Sequence, residues 1–364
     1  MSSLAPARPL DGATLSWDVT RACNLACGHC SNADDRETAA RDLRLEDAAH
    51  MMAEFAEAGG IGLHVLGGEP LLRKDILTTI AVARELGLSV SLTTNVTVLP
   101  DPAMRTWLME QLSTLTLSLD GSSAAINDPI RGPGVFDRVI AALRAYRNAA
   151  AGLTARARLN VSHVLCASNT GDIAAMIDCA AAAGADAVAI TYLKPYGNAL
   201  RPGAPRPADM PALRDALLAA AIRAELCPIE VTLFEVPTRM QLWLRAQAGA
   251  RVRFGGDAYC DTAEGQLRAS SDGRVYPCFA GTKHHAKFGA VPAALDITRA
   301  PLRSILADPF YAAFQQGAHA ALRATPWTIC RDCPHFAARA CYPGCPFEPE
   351  NVKPRLCALL EAAA

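Results

Sequence analysis

The stretch Cys23-Asn24-Leu25-Ala26-Cys27-Gly28-His29-Cys30 decides how this chain is read. It sets three cysteines at C-x3-C-x2-C spacing, immediately after the strand-like run Thr14–Val19. Three thiolates held in one short loop form a metal-binding arrangement with one coordination position left open, and an open position on a metal is where chemistry occurs. An incomplete zinc site, with His29 as fourth ligand, is the competing reading of the triplet alone.

Outward from this loop the sequence alternates. Strand-like segments are expected at Thr14–Val19, Gly62–Leu66, Ser89–Thr93, Thr114–Leu119, Ala157–Leu165 and Ala187–Tyr192. Amphipathic helical segments fall between them at Leu45–Ala58, Ile76–Leu86, Phe136–Ala150 and Ile173–Ala183. Strand–helix repetition implies a parallel sheet with right-handed crossovers. Six strands are too few for a closed eight-stranded barrel, so the expected architecture is α/β, a partial (β/α)6 TIM-like barrel. Ligands of such sheets bind at the carboxyl ends of the strands. The conspicuous polar segments stand there: the cysteine triplet, Gly67-Gly68-Glu69-Pro70, Thr94-Asn95 and Ser118 with Asp120.

The 364 residues exceed one small core, and 51% of them are hydrophobic. Charge is balanced, with 35 Lys and Arg against 36 Asp and Glu, so neither a nucleic-acid stripe nor an acidic tail is present. Residues Met1–Leu10 lack a signal peptide's pattern, and no apolar run is long enough to span a bilayer. A cytoplasmic protein without membrane or nucleic-acid partners is expected. The 13 cysteines then point to metal rather than disulfides.

Seven cysteines fall late in the chain: Cys260, Cys278, Cys330, Cys333, Cys341, Cys345 and Cys357. The texture changes after Gly255 to short strands, turns and cysteines. The expected organisation is a short leader at 1–13, a barrel at 14–205, a bridging helix and strand region at 206–254, and a cysteine-rich domain at 255–364. The segment Lys194–Pro211 holds five prolines and two glycines and reads as a loop over the barrel mouth.

The triplet Cys23, Cys27, Cys30 together with Gly67–Pro70 resembles the radical S-adenosylmethionine (SAM) superfamily. That resemblance implies a [4Fe–4S] cluster on the three cysteines, with SAM on its open iron. It implies reductive cleavage of SAM to a 5′-deoxyadenosyl radical that removes a hydrogen atom from substrate. Gly67, Gly68, Glu69 and Pro70 are then expected to hold the methionine moiety, with Glu69 facing its ammonium. Thr94, Asn95, Ser118 and Asp120 are further SAM-contact candidates. Tyr192 and Leu193 are expected to flank the adenine, as is His29, which replaces the family's usual aromatic before the third cysteine.

The later cysteines resemble the SPASM extension of that superfamily, although Cys333 and Cys341 are separated by seven residues where the family has five. The resemblance implies two auxiliary [4Fe–4S] clusters. Cys330, Cys333, Cys341 and Cys357 would complete one. Cys260, Cys278 and Cys345 would hold the other without a fourth cysteine; Asp257 is one candidate for the gap. Two zinc ribbons are the alternative.

Cys166, after the fifth strand, is a candidate hydrogen donor to a substrate radical. The expected function is oxidative maturation of a ribosomally made peptide. Alternatives are dehydrogenation or epimerisation of a sugar or aminocyclitol and, from another class, a non-catalytic zinc or iron–sulfur scaffold. Implied partners are a reductant such as flavodoxin or ferredoxin and a separate peptide-recognition protein, since about thirteen residues precede the first strand.

Overall fold

The computed structural model describes residues 10–32, 42–255, 266–278, 295–325, 327–345 and 352–361. Most of the leader, Asp257 and Cys260 therefore lie outside the described residues. The six expected strands are present, each end within one residue of its expected place: β1 (Thr14–Asp18), β2 (Gly62–Leu66), β3 (Ser89–Thr94), β4 (Thr114–Ser118), β5 (Arg158–Leu165) and β6 (Ala187–Tyr192). The sheet continues beyond them. β7 (Glu230–Phe234) and β8 (Arg253–Gly255) extend one edge, while β9 (Gln266–Ala269) and β10 (Val275–Tyr276) extend the other.

The order is β10-β9-β1-β2-β3-β4-β5-β6-β7-β8, parallel throughout except for the β9–β10 hairpin. β9 pairs parallel with β1, so Thr14 faces Gln266 and Trp17 faces Ala269. The late chain thus occupies the edge of β1 that a closed barrel would give to its last strand. The sheet is an open, partial barrel, and the region expected as a bridge supplies two of its strands.

Helices α1 (Leu45–Glu57), α2 (Ile76–Glu85), α3 (Pro102–Gln111), α4 (Ala124–Arg131), α5 (Val135–Ala149), α6 (Ile173–Ala182), α7 (Met210–Leu226) and α8 (Thr238–Ala248) connect the strands. The start of α3 is clear in retrospect. Asp101 accepts from the Met104 amide at 2.9 Å and Pro102 opens the first turn, an N-cap with proline at N1. After β10 the chain is helical where short strands were expected: α9 (Leu302–Leu306), α10 (Pro309–Arg323), α11 (Thr328–Arg331), α12 (Pro334–Ala337) and α13 (Val352–Glu361). In α10, Phe310 and Phe314 bury one face against the core. Helical period, not cysteine density, governs that stretch.

Strand alternation separates two faces. Leu15, Trp17, Leu63, Val65, Val90, Leu92, Leu115, Leu117, Val161, Val188 and Ile190 are buried in one continuous core. Their alternates carry Ser16, Asp18, His64, Ser91, Thr93, Ser118, Ser162 and Thr191 on the opposite, less covered face. That face is unusually rich in hydroxyls for a sheet interior, which suits a cavity that receives a polar ligand.

Two contacts on it link separate strands. Arg268 of β9 makes a bidentate ion pair with Asp18 of β1, at 2.7 and 2.8 Å. His64 Nε2 lies 2.9 Å from Thr93 Oγ1. Burial, with a smaller push from Arg268, holds the His64 imidazole down at about 4. The unfolded chain therefore takes up a proton near pH 6.5 that the folded chain refuses until about pH 4. Stability is expected to fall as pH drops through that window, by about 2 kcal/mol between pH 7 and pH 5. Urea midpoints for His64→Gln should show a correspondingly flatter pH dependence.

Candidate functional site

The cysteine loop is fixed from three sides. Gly28 N–H donates to the Ile130 carbonyl at 2.8 Å, and the Cys27 thiol points at the Arg131 carbonyl at 3.7 Å. Both carbonyls belong to the end of α4. From the segment after β6, Asn198 donates its amide N–H to Cys30 O at 2.9 Å and its side-chain Nδ2 to Cys27 O at 2.8 Å. From β3, Asn95 Nδ2 approaches Cys23 Sγ at 3.7 Å and Asn24 Oδ1 at 3.2 Å. Burial pushes the Cys27 thiol up; Arg131 opposes this, and the neighbouring Cys30 and Cys23 add to it.

Gly67–Pro70 packs directly on this loop. Gly68 N–H donates to Thr20 O at 2.8 Å and Glu69 N–H to Ala22 O at 2.7 Å. Gly67 has φ +136°, and a Cβ at Gly67 or Gly68 would collide with the carbonyls of Thr20 or Ala22. The glycines therefore permit close backbone approach to the cysteine loop. This packing stands beside the contact with the methionine moiety expected from sequence. Gly68→Ala should lower the melting temperature, by about 1–3 kcal/mol of stability, and reduce bound iron.

Glu69 is fully buried. Its Oε1 accepts from Thr94 Oγ1 at 2.6 Å and from the Leu71 amide at 3.0 Å, while Oε2 accepts from the Asn95 amide at 2.7 Å. Burial raises its carboxyl, against the opposing pull of these hydrogen bonds. Glu69, Thr94 and Asn95 thus form one brace between the β2 and β3 ends. Arg73 completes it: its guanidinium donates to Val19 O at 2.7 Å and Leu43 O at 2.8 Å, pairs with Asp75 at 2.7 Å, and lies over the Trp17 ring.

Asp120 is the electrostatic centre of the opposite wall. It is fully buried, with His29 Nε2 at 2.7 Å and Arg131 Nε at 2.6 Å from Oδ2. The Val164 amide donates to Oδ1 at 2.8 Å. Burial by itself would raise the carboxyl, but Arg131 foremost, then His29, hold it well below the usual carboxylate range. His29 and Asp120 are therefore paired with each other as a single unit.

Ser118 ends β4, half-buried on the rim. Tyr192 and Leu193 are largely buried at the end of β6. Cys166 is fully buried, with Sγ 3.2 Å from Ser168 Oγ, in a small cluster with Ile130 and Leu193. Its thiol is pushed up by burial. All four stand at the rim, and the Cys166 amide donates at 2.8 Å to Asn169 Oδ1, whose Nδ2 holds Asp120 O.

In the late chain, Cys330, Cys333, Cys341 and Cys357 line one cavity together with Arg239, Tyr342 and Lys353. Burial pushes Cys330 up to about 11 and Cys357 to about 12, with further contributions from the other thiols of the set. Four thiols share one enclosed space. Among the described residues, no group of three or more Cys, His, Asp or Glu is placed to hold a single metal ion. Cys278 and Cys345 pack half-buried against the core.

Sequence reading missed Arg73, Arg131, Asn127, Asn169, Asn198 and Arg268. Asn127 accepts the Asp120 amide at 2.9 Å, and Asn169 ties Asp120 O to Val164 O at 3.0 Å each. An arginine two positions after Leu71 and another closing a helix that ends in glycine were the available signals.

Residues 17–155 match the model of the radical SAM superfamily, and residues 260–334 match that of SPASM, an iron–sulfur cluster-binding domain. An AdoMet-dependent heme synthase of Methanosarcina barkeri is 30% identical over 54% of this chain and 54% of its own length. The mycofactocin maturase MftC of Mycobacterium tuberculosis is 32% identical over 50% of this chain and 45% of its own. The chain thus spans about half the length of these two curated relatives. A PqqA peptide cyclase of Streptomyces rochei is 28% identical over 87% of this chain and 80% of its own.

Among solved structures, Streptococcus suis SuiB bound to its precursor peptide SuiA superposes with TM-score 0.69 at 17% identity, covering 94% of this chain and 76% of that one. Native anSMEcpe with bound AdoMet gives 0.65 at 16% identity, covering 96% and 95%. These superpositions establish the fold. The two domain matches, together with the three-cysteine loop and the four-thiol cavity, assign [4Fe–4S] clusters and SAM as the cofactors. The chain carries a radical SAM domain over residues 17–155 and a SPASM iron–sulfur cluster-binding domain over residues 260–334.

Proposed function

We propose that this protein is an oxidoreductase that matures a ribosomally synthesised peptide. The observation that carries the reading is the placement of two thiol sets around one barrel: the triplet on its β1 rim and the four-thiol cavity beside α13. Cys23, Cys27 and Cys30 would hold the first [4Fe–4S] cluster beside Gly67–Pro70, and the group with SAM would supply the radical chemistry that removes a hydrogen atom from the substrate. The chain's own residues hold the loop that presents the cluster. Asn198, Asn95 and the α4 carbonyls fix its backbone. Arg131 places a positive charge beside Cys27, which favours thiolate over thiol. Cys330, Cys333, Cys341 and Cys357 would hold an auxiliary cluster able to take up the one electron that the substrate radical loses on going to the oxidised product.

The heme synthase favours a small-molecule substrate over half the chain. The PqqA peptide cyclase is similar over 87% of it. The greater coverage favours a peptide. The reduction requires an electron donor of the flavodoxin or ferredoxin kind, and a separate peptide-recognition protein would deliver the substrate. Cys166 keeps the role of hydrogen donor only for an epimerisation, and its burial weighs toward packing.

The test is anaerobic reconstitution with dithionite and SAM, followed by addition of a short peptide encoded beside the gene. Formation of 5′-deoxyadenosine and a mass change in the peptide support the reading. Nucleoside formation without any change in the peptide would remove the peptide as substrate. Absence of the nucleoside would remove the enzyme.

A further inference from the structure

Asn95 follows β3 directly, and every hydrogen-bonding position of its side-chain amide is filled. Oδ1 accepts from the Thr97 amide at 2.9 Å and from Thr97 Oγ1 at 2.6 Å. Nδ2 donates to Asn24 Oδ1 at 3.2 Å and to Cys23 Sγ at 3.7 Å. Asn24 closes the ring, its own Nδ2 donating to Thr97 Oγ1 at 2.7 Å. A backbone amide can only donate, so the oxygen of Asn95 must face Thr97 and its N–H pair must face Cys23.

The backbone is held to the same end. Asn95 N–H donates to Glu69 Oε2 at 2.7 Å. The next residue, Val96, is buried at φ +47°, a left-handed conformation that a β-branched residue rarely takes. Its amide donates to Thr94 Oγ1 at 3.0 Å, and that hydroxyl donates to Glu69. Strain of this kind persists only where the surroundings over-determine it. Here the turn carries Asn95 onto a thiol of the cysteine loop. Cys23 Sγ also receives the Leu25 amide at 3.5 Å, whereas Cys27 Sγ faces the Arg131 carbonyl. Two N–H donors thus converge on Cys23.

We propose that Asn95 is a positioning residue that acts through Cys23, its Nδ2–H donating to the thiolate and raising the reduction potential of the first cluster. Donors to a ligating sulfur draw electron density from an iron–sulfur group, which favours its reduced form. The step concerned is the uptake of one electron from a donor of the flavodoxin or ferredoxin kind; no bond forms or breaks and no proton moves. An amide does this without titrating. The side chain so filled serves Cys23 rather than SAM. The proposal rests on the triplet holding the first cluster and is independent of which substrate is oxidised.

The test is a potentiometric titration of the reconstituted full chain, read by electron paramagnetic resonance without substrate. The first cluster's signal is the one that added SAM alters. Asn95→Leu removes the N–H pair without adding charge. It is expected to weaken reduction on the order of tenfold, a shift of about 59 mV to lower potential for one electron. Asn95→Asp also places a charge beside Cys23 and should shift it further. Thr97→Val keeps Asn95 and all iron ligands but breaks the ring that orients the amide, so a smaller shift in the same direction is expected. Signals that SAM leaves unchanged should keep the parent potential in all three variants. Asn95→Leu at the parent potential, with parent iron content, overturns the proposal, since a purely structural role lowers the melting temperature alone. If the Asn95 variants lose iron, Thr97→Val decides, and an unmoved potential there overturns the proposal as well. A parent chain without a SAM-sensitive signal sinks the assignment of the first site, and this proposal with it. Shifted potentials beside an unmodified peptide sink only the peptide reading.

Discussion

Cys27→Ala should abolish 5′-deoxyadenosine formation while leaving most of the iron in place. Three clusters would carry about twelve irons per chain, so loss of the first leaves about eight. Cys27 is the buried member of its triplet, with the other two thiols beside it. Removing it opens a second corner of a group that already has one open position, and a two-thiolate remnant cannot hold it. Cys330→Ala should do the reverse: lower the iron content, keep SAM cleavage and stall substrate oxidation. The measurement is iron and sulfide analysis beside quantified nucleoside. If Cys27→Ala cleaves SAM at the parent rate, the assignment of the first site fails.

Asp120→Asn should produce the largest loss of stability of any single change at the rim, on the order of 3–5 kcal/mol. The substitution leaves Arg131 buried without its counter-charge and His29 without its acceptor. The folded carboxyl is depressed, so its contribution is fully present above the ordinary carboxylate range. It is lost only as pH falls below that range toward the depressed value. The deficit of the variant should accordingly be constant from pH 5 to pH 8 and shrink in stronger acid. Adding Arg131→Met to Asp120→Asn should restore part of the loss, because the unpaired charge is then gone. Urea unfolding of the four chains at several pH values measures both effects.

The two substitutions address opposite walls of the same rim, and the contrast shows what each kind of residue does. Cys27 acts on the inorganic group itself. Asp120 acts by holding the loop: His29 comes from the cysteine loop, Arg131 from α4 and Val164 from β5, so one carboxylate joins three segments distant in sequence. Glu69 does the equivalent on the other wall with neutral donors. A carboxylate satisfied by backbone and hydroxyl donors braces its loop without a buried cation. One paired with a guanidinium adds a charge beside Cys27.

The strands were legible because period-2 alternation is a local property; a six-residue window contains it. The cysteine triplet and Gly67–Pro70 were legible for the same reason, since their spacing is local. The four-thiol set was legible by resemblance, and its cysteines do line one cavity. β8 was not legible, being three residues whose pairing with β7 supplies what their own pattern lacks. The helices after β10 were hidden because cysteines and turn residues masked the apolar period of α10.

By itself, then, the sequence determined the parallel α/β sheet, the loop carrying the first three thiols and the cysteine-rich end. Tertiary structure alone decided that β9 takes the edge of β1, leaving the barrel open. It decided that the glycines of Gly67–Pro70 pack on the cysteine loop, and that Glu69 and Asp120 brace it. Each of these depends on pairing between residues far apart in the chain. Such pairing is set by the packing of whole elements, and no window of sequence contains it.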